Sequence, residues 1–235
     1  AFKLTKEKYG DTQQGIESGY WVAACMQQKG DNAGAAPLFE EFIKANPDHV
    51  LLPLATFALG NAQVAIGQKD VGLATLAQVV EKFPDSSPAP FTYFSRAQVF
   101  STDKKPDEVT KLMREFIEKY PKDDKVFYAF NSIAQNAIVA GKSDEALAAY
   151  SELVEKYPDN PNSPGSLVKI AELQRAQADR LATNYSSLKP EDREKWKSSI
   201  NASVASLEKL IANGRSAPGP KQANDVPVRR YPAKR

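Results

Sequence analysis

Few side chains in this sequence are suited to covalent or metal chemistry, and their spacing leaves them isolated. His49 is the only histidine and Cys25 the only cysteine among 235 residues. A Ser-His-Asp or Cys-His nucleophile would have to use His49, which follows Pro47 in a segment that reads as a loop. A His/Cys zinc site lacks ligands. No glycine-rich run of the P-loop or dinucleotide type occurs. Carboxylates stand beside lysines, as in Glu155-Lys156, which is the pattern of a solvated helix face. Cys25, close to Trp21 and Val22, is expected as a small buried side chain and not as a reactive thiol. Asn184-Tyr185-Ser186 and Asn201-Ala202-Ser203 have the form of glycan acceptors but fall in expected helices, and we discount them. The expectation is no catalysis, no metal, no cofactor and no small-molecule substrate.

Charge and hydropathy exclude further classes. The chain is 42% hydrophobic and 26% charged with a formal net charge of +2, an ordinary globular composition. Its most apolar stretch, Leu51 to Ile66, is broken by Pro53, Gly60, Asn61 and Gln63, so no integral membrane span is expected. Basic residues interleave with acids over the body, so a folded nucleic-acid surface is not expected. The small net charge hides a basic end. Residues 215–235 carry six basic residues against Asp225 alone, about +5, which leaves the body near −3. With Pro218, Pro220, Pro227 and Pro232 this tail cannot bury enough apolar area to offset ordering, and disorder in isolation is expected. Val226 to Pro232 nevertheless has anchors; Val228, Arg229, Arg230 and Tyr231 are its candidate contacts with a partner, a neighbouring subunit or an anionic surface.

The elements that would position any site announce themselves by repetition. Glu-Phe-Ile-Lys-Ala-Asn-Pro-Asp at 41–48 returns as Gln-Val-Val-Glu-Lys-Phe-Pro-Asp at 78–85, Glu-Phe-Ile-Glu-Lys-Tyr-Pro-Lys at 115–122 and Glu-Leu-Val-Glu-Lys-Tyr-Pro-Asp at 152–159. The prolines fall at 47, 84, 121 and 158, one every 37 residues. Proline cannot continue a helix and pushes its predecessor toward extended backbone, so each ends a second helix. Leu38, Phe39, Phe42 and Ile43, or Leu112, Met113, Phe116 and Ile117, give that helix an apolar stripe. Gly30, Gly67, Lys104 and Gly141 occupy the turn between paired helices, Lys104 being the exception to a glycine rule. Small residues recur before the turns (Ala23, Gly60, Ala97, Ala134) and after them (Ala35, Gly72, Val109, Ala146), where two helices would cross closely.

On these residues the chain resembles the tetratricopeptide repeat family, with Leu59 to Asp70 similar to that family's first helix and turn. Val109, the bulky Phe42, Val79, Phe116 and Leu153, and a period above the usual 34 are departures. The Glu-Lys-Tyr-Pro-Asp form is most like bacterial envelope members, the outer-membrane assembly lipoproteins and the periplasmic partner of the Tol-Pal system. The resemblance implies that first helices line a concave groove. Carried over in the Gly60 register, the groove holds Tyr20, Phe57, Phe94 and Asn131 in one row and Ala24, Asn61, Gln98 and Gln135 in the next. A third row is Gln27, Val64, Ser101 and Ile138, with Leu54, Phe91 and Tyr128 near the rim. Amides offer a donor and an acceptor to an extended peptide backbone, and aromatics supply contact area. The Lys and Arg that clamp a C-terminal carboxylate in some members are absent from these positions. The aromatics are equally suited to being covered by the chain's own next repeat.

The expected fold is all-α: a right-handed α-solenoid of about five helix pairs over 11–214, after a segment 1–10 and before the tail 215–235. Repeat boundaries fall at about 11–47, 48–84, 85–121, 122–158 and 159–214. In the enlarged fifth unit, 165–188 reads as one long helix. A second starts at Pro190 and ends near Gly214, burying Trp196, Ile200, Val204, Leu207, Leu210 and Ile211, and the pair reads as a terminal cap. Two functions stay open: a scaffold that binds a protein or extended peptide in its groove, or a structural subunit of a homo- or hetero-oligomeric envelope or extracellular assembly, held by its ends and tail. The envelope resemblance and a start at Ala1 without Met lead us to expect an exported bacterial protein, periplasmic or extracellular, with the cytoplasm as the alternative.

Overall fold

A computed structural model of the chain describes residues 1–10, 12–182 and 189–216. Among them are α-helices and no strand: α1 (Phe2–Tyr9), α2 (Gln13–Gln28), α3 (Asn32–Ala45), α4 (Leu52–Ala65), α5 (Lys69–Lys82), α6 (Ala89–Thr102), α7 (Pro106–Lys119), α8 (Val126–Val139), α9 (Ser143–Lys156), α10 (Ser163–Ala182) and α11 (Pro190–Ser216). The expected all-α architecture of adjacent helix pairs is therefore present.

The 37-residue period is written in backbone hydrogen bonds. At the end of α3, α5, α7 and α9 the capping N–H of Asn46, Phe83, Tyr120 or Tyr157 donates to the carbonyl four residues back. After each cap, His49, Ser86, Asp123 and Asn160 close the same tight turn onto that capping residue's carbonyl, and Leu52, Ala89, Val126 and Ser163 close the next. The fifth pair thus opens like the others, although α10 runs through the position where a turn would come and buries Ala178 there. Its expected continuation over 183–188 lies outside the described residues. The last helix passes Gly214 and reaches Ser216.

Between paired helices the chain reverses with positive φ at Gly30, Gly67 and Gly141. Lys104 takes the same left-handed geometry at φ 56°, which costs a side-chain-bearing residue about 1–2 kcal/mol. The small-residue positions are where helices cross. Ala23, Ala35, Ala134 and Ala146 are fully buried, and a Cβ at Gly72 would stand 2.7 Å from the Gly60 carbonyl oxygen. Val109, the bulky departure, is buried as well.

Contacts divide the chain into two compact units, Ala1–Asn136 and Ala137–Arg235, with the division inside α8. In the first, Phe39, Phe42, Leu76, Val79, Met113, Phe116 and Phe130 form the interior, each worth about 1.5–3 kcal/mol when fully buried. An N-terminal helix that the repeat pattern did not anticipate, α1, packs along α2, where Phe2 stacks on Trp21 at 6.3 Å. In the second unit Tyr150 and Leu153 of α9 are buried, and α9 and α11 both pack on α10.

Two sequence expectations fail on orientation. Cys25 is exposed: two residues past the buried Ala23, it points about 200° round the helix, away from the interior. The stripe expected to bury α11 is largely outward, with Val204 49%, Leu207 42% and Ile211 54% exposed, while Trp196 and Ile200 are half-buried. Ser203 and Ser206 face α10 instead. Ser203 Oγ donates to the Ala171 carbonyl at 3.1 Å, and Ser206 Oγ to Gln174 Oε1 at 3.2 Å. Short serines allow a close helix approach that branched side chains would prevent.

Candidate functional site

All nine expected groove residues fall in the first unit, on α2, α4, α6 and the first part of α8. The first helices of successive repeats touch, α2 against α4 and α4 against α6. A cross-link shows how close they run: Gln27 Nε2 donates to the Ala58 carbonyl at 2.9 Å. Asn61 Nδ2 returns to its own helix, donating to the Phe57 carbonyl at 3.0 Å. Gln98 and Gln135 are exposed; Asn61 and Asn131 are half-buried.

The aromatics divide. Tyr20 is 8% exposed, its ring set against Phe39 and Phe42 at 5.8 and 5.9 Å, and it serves the interior instead of a partner. Phe94 is half-buried, with its ring edge-on to Phe116 at 4.9 Å. Phe57 is half-buried. Phe91 and Tyr128, the rim residues, are 44% and 59% exposed. Sequence periodicity could not separate these cases, because it places a side chain on a face without saying what stands opposite.

Phe91 also borders a cleft of about 480 Å³ lined by the inter-repeat loops, with Pro84, Pro90, Tyr120, Asp123 and Lys125 around it. Lys125 Nζ lies 4.2 Å above the Phe91 ring and 3.2 Å from Asp123 Oδ1, so an ion pair and a cation–π contact hold one lysine. Tyr120 Oη donates to the Pro84 carbonyl at 2.8 Å, tying consecutive inter-repeat loops together. Burial, then Asp85 and Asp123, push the Tyr120 phenol above its ordinary value. Burial pushes Tyr93 up to about 12, helped by Tyr120 and Glu115 and opposed by Arg96. Arg96 stands where the neighbouring repeats have the buried Leu59 and Ile133, and its Nε is buried without a hydrogen-bond partner.

A polar node escaped the sequence reading. Gln63 is 5% exposed; its Oε1 accepts from Thr75 Oγ1 at 2.7 Å, and its Nε2 donates to Glu40 Oε1 at 3.4 Å. It joins three helices of two repeats, and only its position among apolar residues in the Leu51–Ile66 run hinted at it.

Among the described residues no group of three or more His, Cys, Asp or Glu side chains is placed to hold a metal, and no helix is long and apolar enough to cross a membrane. His49 is turned inward, its Nδ1 accepting from the Leu51 N–H at 3.1 Å and its ring edge-on to Phe42. The tail residues Val228, Arg229, Arg230 and Tyr231 lie outside the described residues, as does the Asn184 triplet. Asn201 is exposed on α11.

The family model of the tetratricopeptide repeat matches residues 17–49, 55–86 and 132–160. Over those three stretches the chain is similar to the tetratricopeptide repeat. The three matched stretches cover the α2–α3 and α4–α5 pairs and run from α8 through α9; the α6–α7 pair, which has Lys104 and Val109 at signature positions, is not matched although it folds alike. No curated protein matches the chain. Among solved structures, the MamA RS-1 ArsTM double mutant is 10% identical, with 86% of this chain and 95% of that one covered and a TM-score of 0.50. A crystal structure of MamA is 14% identical, covering 86% of this chain and 94% of its own, also at 0.50. At such identities the likeness is one of fold.

Proposed function

We propose that this chain is a non-enzymatic scaffold that binds an extended protein segment along the first helices of its repeats. The observation that carries the reading is a set of amides on the first helices, the exposed Gln98 and Gln135 with the half-buried Asn61 and Asn131, beside the exposed rings of Phe91 and Tyr128. Amides pair with a peptide backbone whatever its sequence, and the rings supply apolar contact at small entropic cost. Gln27, Phe57 and Phe94 frame these amides, while Tyr20 is withdrawn from them. The absence of Lys and Arg at these positions argues for an internal segment over a free C-terminus. The reading extends to an exported bacterial protein acting in the periplasm or outside the cell, which rests on the likeness of the Glu-Lys-Tyr-Pro-Asp repeats to envelope members.

The test is a quantitative cross-linked pull-down comparing the intact chain, an Asn61→Ala/Gln98→Ala/Asn131→Ala variant and a deletion of 215–235. Partners lost with the triple variant and kept by the deletion support the groove. Partners released only by the deletion would mark a structural subunit held through its tail and overturn the groove assignment.

A further inference from the structure

Charge is divided unevenly between the two helices of each pair. Among the first helices, α4 and α8 carry no charged residue and α6 carries only Arg96. Of the second helices, α7 has seven charged side chains in 14 residues, and α5 and α9 have charges at both ends. Arg96 does not interrupt the neutral face. It takes the register of the buried Leu59 and Ile133, and its Nε is buried. The neutral surface stops at α2, where Glu17 stands in the rim register of Leu54, Phe91 and Tyr128 and accepts from Gln13 Nε2 at 3.0 Å.

What α6 and the first part of α8 present to solvent at the groove positions is therefore rings, amides and a hydroxyl: Phe91, Gln98, Ser101, Tyr128 and Gln135. A helix face held only against water carries charged and polar side chains, as α7 does. The centre of a protein interface is instead depleted in charge and enriched in aromatics.

We infer that the segment bound along α4, α6 and α8 is itself uncharged over the length it occupies, a run of apolar, amide and hydroxyl residues without Asp, Glu, Lys or Arg; this rests on the proposed groove and names the class of segment it takes. Desolvation is the reason. A partner carboxylate or ammonium laid on this face loses its water and meets no opposite charge, and a charge stranded in that way opposes binding. Lys125 beside the rim gives no exception, because Asp123 Oδ1 already lies 3.2 Å from its Nζ and the Phe91 ring lies beneath it. Neutral residues find what they need: amides pair with a peptide backbone, and Phe91 and Tyr128 offer apolar contact. Specificity then comes from rejection as much as from attraction, with acidic and basic segments turned away alike. Binding without charge pairs is also insensitive to salt.

The experiment selects a phage-displayed library of random peptides, about 12 residues long and so ~40 Å when extended, on the full chain. Each enriched peptide is then measured against a Gln98→Ala/Tyr128→Ala protein and a Gln98→Glu protein, both altered only at exposed positions. The expected result is that peptides weakened about tenfold or more by the double variant are depleted in Asp, Glu, Lys and Arg relative to the starting library. They hold their affinity from about 0.05 to 0.5 M salt, and Gln98→Glu weakens them about tenfold. Peptides lost from the double variant yet rich in acidic or basic residues, with affinity falling as salt rises, would overturn the inference and leave the groove standing. Peptides bound equally by the intact and the doubly substituted proteins would remove the groove itself, and the inference with it.

Discussion

Lys104 holds with a side chain a left-handed turn that the other repeats give to Gly30, Gly67 and Gly141. Relief of the Cβ contact exceeds the added freedom of the unfolded chain, so Lys104→Gly should stabilise the protein by about 0.5–1 kcal/mol. Urea unfolding checks this; a loss of stability would mean that Lys104 makes a contact worth more than its strain. Tyr93 carries a second residue-level consequence. Its folded pKa is raised, to about 12 from an ordinary 10, so the unfolded chain ionises first as pH rises. The sign follows: its contribution is intact below pH 10 and is lost as pH climbs from 10 toward 12, by at most about 1.4 kcal/mol per pH unit. Tyr93→Phe should flatten that part of the stability–pH curve, and equal slopes for both proteins would refute the assignment. The Lys104 exception was visible in the sequence because the other three repeats set a rule for it to break. Neither Tyr93's burial nor the inward turn of Tyr20 was visible, since both depend on what the paired helix of the same repeat places opposite.

At the scale of elements, the helix pairs are joined by groups that no local pattern encodes. Gln63 on α4 takes a hydrogen bond from Thr75 on α5 and gives one to Glu40 on α3. Thr75→Val leaves a buried acceptor without its donor and should cost about 1–3 kcal/mol. Combining it with Gln63→Leu should recover much of that loss, which a double-mutant cycle on unfolding free energies measures. Additive costs would mean the node contributes nothing as a unit. Helix boundaries were legible because proline and glycine act on the backbone where they stand, and the inter-repeat turns repeat the same hydrogen bonds after each. The α11 face was misjudged for the opposite reason. A stripe of apolar residues reports what could be buried, and whether a neighbour is there to bury it is a tertiary fact. Ser203 and Ser206, unremarkable in sequence, decide the packing by being short. Cys25 fails likewise, one helical half-turn from the interior its neighbours suggested.

For the molecule as a whole, the claim that matters is that a partner segment lies along the first helices of the repeats. The register that placed Asn61 and Gln98 on one row and Asn131 on the adjacent one came from the small residues flanking each turn, and those positions are buried crossings in the structure. The measurement that tests the claim most directly is site-specific photo-cross-linking with a benzophenone side chain installed singly at Gln98, at Tyr128, and at the exposed second-helix positions Glu81 and Glu118. The account predicts that a bound partner is captured from Gln98 and Tyr128 and not from Glu81 or Glu118. Capture from Glu81 and Glu118, with none from Gln98 or Tyr128, would put the partner on the other face and contradict the groove.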